Sequence, residues 1–338
     1  MILKPDNDGV ITVSFLLMPE YAMMALLSAI EPMRVANRLA ERELFRWQLL
    51  AVDKSQVLAS NGLALQQTQS IHDVPSPDNL FVCSSFQPEK YIDLNTVNWL
   101  KKIKRRGAII GAMDTGCYLL AAASLLTHHR CTLHWEASPA FQEKYPTLEV
   151  TNELFEIDKN IITSAGGTSA VDLWLFIIQS NFSHDLAITV CEQFIKSGIR
   201  QKSDKQRINL AARLKVHHPR MLRVLAKMED NLVSPLSTSE LADYAHLSVR
   251  QLERLFRSHF NDTPSSYYTK LRLDRAQQLL KESHLRISEV SIACGFNTAA
   301  HFSRSYRNHF KCTPRDERKI FSLKQPAVSP PLLLATQA

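Results

Sequence analysis

The sequence predicts two domains of different class: an α/β domain built on a parallel sheet, then an all-α domain carrying a double helix-turn-helix. Three observations predict it. The first part alternates unbroken apolar runs with helical stretches, the pattern of strands covered on both faces. The last third states one pattern twice. Ser239–Pro264 (SELADYAHLSVRQLERLFRSHFNDTP) recurs as Ser288–Pro314 (SEVSIACGFNTAAHFSRSYRNHFKCTP) with a single extra residue. Charge divides the same way: residues 1–200 hold 17 Lys and Arg against 21 Asp and Glu, a balance of −4, and residues 201–338 hold 23 against 12, a balance of +11. The expected domains are 8–197 for the α/β part, 198–218 for a polar, basic linker, 219–321 for the helical part and 322–338 for a Pro-containing disordered tail.

In chain order, Val10–Pro19 reads as a buried strand, Tyr21–Leu39 as a helix and Phe45–Val52 as a second strand. Asn79–Cys83 is a third strand and Tyr91–Arg105 a helix. Ala108–Met113 is a fourth strand, running through Asp114-Thr115-Gly116 into a helix over Cys117–Leu125. Further strands are expected at Cys131–His134, Leu148–Ile157 and Asn160–Ser164, before a helix over Thr168–Phe182. Parallel sheets bind ligands outside the carboxyl ends of their strands, where the 114–116 junction falls.

Beyond Pro219 a first helix turns Leu222, Leu225 and Met228 inward, and the repeat follows. In its first copy Leu241 and Ala245 stripe a short helix, Leu247-Ser248 makes the turn, and Leu252, Leu255, Phe256 and Phe260 continue at helical spacing. Val290 and Cys294, then Gly295-Phe296-Asn297, then Phe302, Tyr306 and Phe310 do the same in the second. The outward positions are Arg250, Glu253, Arg254 and Arg257 in one copy, and Thr298, Ala299, Ala300, His301, Arg304 and Arg307 in the other. A helix with one buried face and arginines on the other suits the major groove of double-stranded DNA. Charged helix faces are usually only solvated, but a repetition in register favours the groove. The basic balance of this half fits phosphate binding that weakens with salt.

The duplicated unit, the Thr-Pro closing each copy (Thr263-Pro264, Thr313-Pro314) and the Cys294-Gly295-Phe296 turn resemble the AraC/XylS family of bacterial transcription regulators. The resemblance implies that both second helices read DNA through the outward residues named above. It also implies that the helix between the copies, Pro264–Leu280, spaces them about one DNA turn apart. Ala299 and Ala300 stand where longer polar side chains are often found, and retain contacts such as that to a thymine methyl. Asp114-Thr115-Gly116, with Thr132–Glu136 (TLHWE) and Ser164–Leu173 (SAGGTSAVDL), resembles the flavodoxin-like ThiJ/PfpI, class I glutamine-amidotransferase-like domain. The combination resembles the GlxA-like regulators. Glu31–Asn37 (EPMRVAN), Ala59–Leu63 (ASNGL) and Leu80–Phe86 (LFVCSSF) resemble the subgroup that responds to betaine-like amines, carnitine or arginine.

In catalytic relatives the elbow residue is a cysteine whose thiolate a histidine helps activate. Here it is Asp114, with Cys117 three residues further on. His134, a base without a nucleophile, marks a retired active site, so no catalytic residue, cofactor or metal is expected. Asp114, Thr115, His134, Trp135, Glu136, Tyr21 and Phe86, with Phe15 as a further aromatic, are the candidate pocket for a small amine or amino-acid-like effector. The carboxylates would supply charge and Trp135 a face that attracts ammonium groups. Taken singly, His134 and Trp135 read equally well as packed residues, and Glu31 with Arg34 as a surface pair.

The function expected is an effector-responsive, dimeric activator that works with RNA polymerase. Two alternatives are a DNA-binding hydrolase or amidase using Cys117 or Cys83, and a constitutive DNA-binding dimer. The six cysteines show no metal-ligand spacing, and His128-His129 and His217-His218 read as surface histidines. No apolar run reaches membrane-spanning length and the start lacks the pattern of a secretion signal, so a cytoplasmic protein is expected.

Overall fold

Unbroken apolar runs become the centre of a seven-stranded sheet. β1 (Ile11–Leu17), β4 (Asn79–Cys83) and β5 (Ile109–Met113) lie side by side there, with all but one of their residues buried. β2 (Phe45–Ala51) and β3 (Gln69–Ser70) extend the sheet beyond β1, and β9 (Ile161–Ser164) and β8 (Phe155–Asp158) beyond β5. Every pairing is parallel except β8 with β9. Gly111 sits opposite Phe81, whose ring would lie 2.3 Å from a Cβ there, so the strand carries glycine where a ring crosses it. The computed structural model describes residues 1–53, 56–66, 69–74, 76–283 and 285–324. The chain divides into two units, residues 1–207 and 208 onward.

Helices cover both faces of the sheet. On one face α1 (Met23–Leu39), α5 (Ser169–Asn181) and α6 (His184–Gln193) close over Phe15, Phe45 and Phe81, which surround Trp174 at ring separations of 5.4 to 6.1 Å. Phe15 therefore belongs to this core and not to a ligand pocket. On the other face α2 (Leu94–Arg105), α3 (Cys117–Ala122) and α4 (Ser138–Lys144) pack Leu100, Ile103, Leu120 and Phe141.

The expected strand at Cys131–His134 is shorter and elsewhere. Only Arg130–Cys131 is extended, as β6, paired with β7 (Glu149–Val150) in a separate two-stranded sheet. The Thr132 N–H donates to Thr163 Oγ1 at 2.9 Å, and its own hydroxyl donates to the Glu153 carbonyl at 2.8 Å. Side-chain hydrogen bonds thus replace the ladder, and His134 and Trp135 become loop residues. The expected strand at Leu148–Ile157 likewise breaks into β7 and β8.

The second unit is helical: α7 (Leu210–Leu214), α8 (Pro219–Asp230), α9 (Thr238–Tyr244), α10 (Val249–Phe260), α11 (Pro264–Glu282), α12 (Ile287–Ala293), α13 (Ala299–Phe310) and α14 (Pro314–Lys324). Residues 210–216, read as linker, pack into its core through Leu210, Leu214 and Val216. Residues 322–324, read as the start of the tail, complete α14, and 325–338 lie outside the described residues. No helix among the described residues is long and apolar enough to cross a membrane.

Candidate functional sites: a paired groove-reading surface and a strand-helix elbow

The two copies of the repeat are built by matched local rules. Ser248 caps α10 by accepting from the Gln251 N–H, and Thr298 caps α13 by accepting from the His301 N–H. Both helices end on a left-handed residue, Asn261 in one and Lys311 in the other. Residues 245–248 join α9 to α10 and residues 294–298 join α12 to α13, so the extra residue falls in the turn. Each turn passes through the left-handed region, at His246 in the first copy and Gly295 in the second. Inward, Leu252 and Phe256 match Phe302 and Tyr306, all fully buried. Outward, Arg250, Glu253, Arg254 and Arg257 are exposed along α10, and Ala299, Ala300, His301, Arg304 and Arg307 along α13. Thr298 is exposed and its hydroxyl caps the helix as an acceptor, which leaves its O–H to donate.

α11 joins the copies, and its 19 residues span about 28 Å. Arg272, on this helix, donates to the carbonyls of Cys294 and Gly295, both at 2.8 Å, and lies 4.0 Å from the centre of the Phe296 ring. Tyr268 donates to the Asn231 carbonyl at 2.6 Å. The connecting helix thereby grips the second turn and the end of α8.

In the first unit, Asp114 occupies the elbow between β5 and α3 with φ 58°, a left-handed conformation unusual for a non-glycine residue. Its N–H donates to the Ser164 carbonyl at 3.0 Å, and its carbonyl accepts from the His134 N–H at 3.4 Å. Glycines make room for this turn. A Cβ on Gly116 would stand 2.5 Å from the Val82 carbonyl, and one on Gly166 2.9 Å from Asp114 Cβ. The Thr115 hydroxyl donates to the Ser85 carbonyl, which brings Phe86 to the same end of the sheet. Phe86 is 51% exposed. Tyr21 bridges Ser85 and Ala59 but is wholly buried, with its hydroxyl against Met23 Sδ, so it backs the site.

His134 and Trp135 lie beside one another with ring centroids 5.6 Å apart and planes tilted by 38°. Both are half-buried, and Glu136 is exposed. Burial holds the His134 imidazole below its ordinary pKa, against a smaller opposing pull from Glu136. The guanidinium of Arg207 lies 4.5 Å from the centre of the Trp135 ring. Asp114, Thr115 and His134 are thus joined at the ends of β4 and β5, with Phe86 following the Ser85 that Thr115 bonds, Trp135 and Glu136 following His134 in the chain, and Tyr21 buried behind.

Two family patterns account for these two sites. Residues 13–180 match the DJ-1/PfpI family, and residues 241–320 match a helix-turn-helix domain. The chain is similar to the HTH-type transcriptional regulator CdhR of Pseudomonas aeruginosa, 46% identical over 317 residues that cover 94% of each. It is also similar to the regulator GbdR of that species, 40% identical over 330 residues covering 98% of this chain and 90% of the relative. The chain belongs to the AraC-type transcriptional regulators that carry a DJ-1/PfpI domain. A crystal structure of an AraC family transcriptional regulator from Pseudomonas putida resembles this regulator with a TM-score of 0.50 and 26% identity, over 54% of this chain and 98% of that one.

The regulator keeps its cysteines away from solvent at the elbow. Cys117 is fully buried with its thiol on the Thr132 carbonyl at 3.2 Å, and its pKa is raised by a hydrogen bond with Cys131 and by burial. Cys83 is buried too, and burial and the nearby Asp114 charge raise its thiol well above the ordinary value. Neither has the depressed pKa and access of a nucleophile. The Glu31–Arg34 pair lies on the surface at 2.7 Å. His128 and His217 are exposed as expected, while His129 and His218 are half-buried: His129 faces Asp158 at 3.4 Å, and His218 caps α8.

Sequence reading missed a strap. After α6, residues 196–207 run back across the first unit. Fully buried Asp172 accepts from Lys196 Nζ at 2.8 Å and from Arg200 at 2.6 and 2.9 Å. Glu156, also buried, pairs with Lys202 and Arg130. The Gln206 amide donates among Thr132 Oγ1 and the carbonyls of Leu133 and Glu153, at 3.0 to 3.1 Å. Its basic residues looked like linker because their acidic partners lie far away in sequence.

Proposed function

We propose that this DNA-binding transcription regulator is an activator whose first unit dimerises and binds a small amine or amino-acid-like effector at the elbow, without catalysing a reaction. It acts in the cytoplasm, with RNA polymerase as a further partner. The observation that carries the reading is the elbow itself: a carboxylate stands where the related enzymes need a thiolate, and both neighbouring thiols are sealed with raised pKa values. An aspartate at that place attracts a cationic group through charge-assisted hydrogen bonds. Trp135, close by, already faces a cation. The resemblance of 31–37, 59–63 and 80–86 to regulators of betaine, carnitine and arginine response narrows the ligand class to quaternary or guanidinium-bearing metabolites.

The effector acts on transcription only through unequal affinity for DNA-competent and incompetent forms. A ligand that binds the native state raises its stability, so thermal unfolding of the purified protein against glycine betaine, carnitine and arginine tests the reading. The expected result is a concentration-dependent rise with one of them, lost in Asp114→Asn while DNA binding is retained. Unfolding unmoved by any of the three would favour a constitutive DNA-binding dimer instead.

A further inference from the structure

The strap ends on the candidate effector site and continues, at residue 208, into the DNA-binding unit. Its last residue is held differently from the rest. Residues 196–202 are anchored by ion pairs to two buried carboxylates, Asp172 and Glu156, and by the Leu154 N–H, which donates to the Lys202 carbonyl at 3.0 Å. Removing one partner of such a buried pair is strongly destabilising, so this part is fixed. Asp204 turns back onto Gln201, and the Gln206 amide donates to Thr132, Leu133 and Glu153 at the site's rim, so the segment is held up to residue 206; Arg207, the last residue, lays its guanidinium over Trp135. Arg207 is itself exposed, where a cation–π contact is weak enough to exchange. Arg200 also donates to Thr168 at 3.1 Å, two residues from the Gly166 that packs against Asp114. The strap thus touches Thr168 through Arg200 and Trp135 through Arg207.

An aromatic face has room for one cation at a time. We propose that Arg207 is the resident occupant of the cation-accepting face of Trp135, and that a cationic amine effector displaces it, releasing the end of the strap at residue 207 while 196–206 stay anchored. This rests on the effector reading given above and adds its transmission. The ligand head group takes the place of a guanidinium, so it is a quaternary ammonium or guanidinium group, with Asp114 as the counter-charge. Release loosens the join ahead of residue 208, and by linkage any DNA-bound arrangement that favours the loosened join tightens effector binding by the same factor.

The test titrates the full-length protein and its Arg207 variants calorimetrically with glycine betaine, carnitine and arginine. An amine that binds wild type should bind Arg207→Ala roughly two- to fivefold more tightly, the scale of one surface cation–π contact removed from competition. Arg207→Lys, which keeps a cation, should stay near wild type. An amine that binds wild type and binds Arg207→Ala no more tightly overturns the displacement and leaves the effector reading standing. Binding of none of the three to either protein removes the effector reading and the displacement with it.

Discussion

Asp114, His134 and Arg207 show how single side chains are set by what surrounds them. Asp114 holds its left-handed backbone because Gly116 and Gly166 leave space that any Cβ would fill. His134 is tied to the elbow through its backbone, while burial of its ring disfavours the imidazolium. A base whose pKa is lowered on folding binds its proton less readily in the native state than in the unfolded chain. Its contribution is therefore flat above the ordinary value of 6.5. Stability falls as pH drops through that value, and the loss is complete once the pH is below the lower, folded pKa. We predict that wild type loses stability relative to His134→Gln between pH 7 and pH 5. Urea unfolding of both proteins across that range checks it, and a difference independent of pH would mean that the ring is open to water.

The elements show where a sequence speaks and where it does not. The paired helix-turn-helix was legible because its determinants are local: a hydroxyl at the cap of each second helix, an apolar residue every three or four positions, and a Thr-Pro after each second helix. β4 and β5 were legible because both faces are buried and no polar residue interrupts their middle. Thr132 and Leu133 misled, being buried like strand residues while their hydrogen bonds go to side chains and to Gln206. The strap was invisible because what orders it is Asp172 and Glu156, acids remote in sequence and buried only after folding. Of the elbow, the residues were legible, but not the burial of Tyr21 behind it or the presence of Arg207 on Trp135.

The second turn also yields a prediction. Gly295 has φ 71°, and a Cβ there would come within 2.6 Å of the Leu232 carbonyl and 2.7 Å of that of Val233. His246 holds the corresponding position with a side chain, so the requirement for glycine belongs to packing as well as to backbone. Gly295→Ala should cost roughly 1 to 3 kcal/mol, the range for a strained residue in this region, and more if those carbonyls cannot retreat. Chemical denaturation of the full chain measures it. A loss below about 0.5 kcal/mol would show the turn to be free to shift.

For the whole molecule, the charge division gives each unit a different relation to DNA. The acidic first part contributes no net attraction to phosphates, so the salt dependence of binding should be carried by the second unit. The two helices then separate two kinds of contact. Arg254 lies mid-helix on the outward face of α10, and we place Arg257, one turn later, nearer the backbone of the duplex. Arg254→Ala should cost about 1 to 3 kcal/mol on the specific site and relax base preference there, while hardly altering affinity for random DNA. Arg257→Ala should weaken specific and random sequences alike and reduce the slope of log affinity against log salt by about one phosphate contact. Arg307 stands at the same position of α13, so adding Arg307→Ala should lower the slope by a similar further step if both helices are seated together. Fluorescence anisotropy of the full-length protein over a salt series decides it: a slope unmoved by the second substitution would mean that only the first helix sits on the duplex.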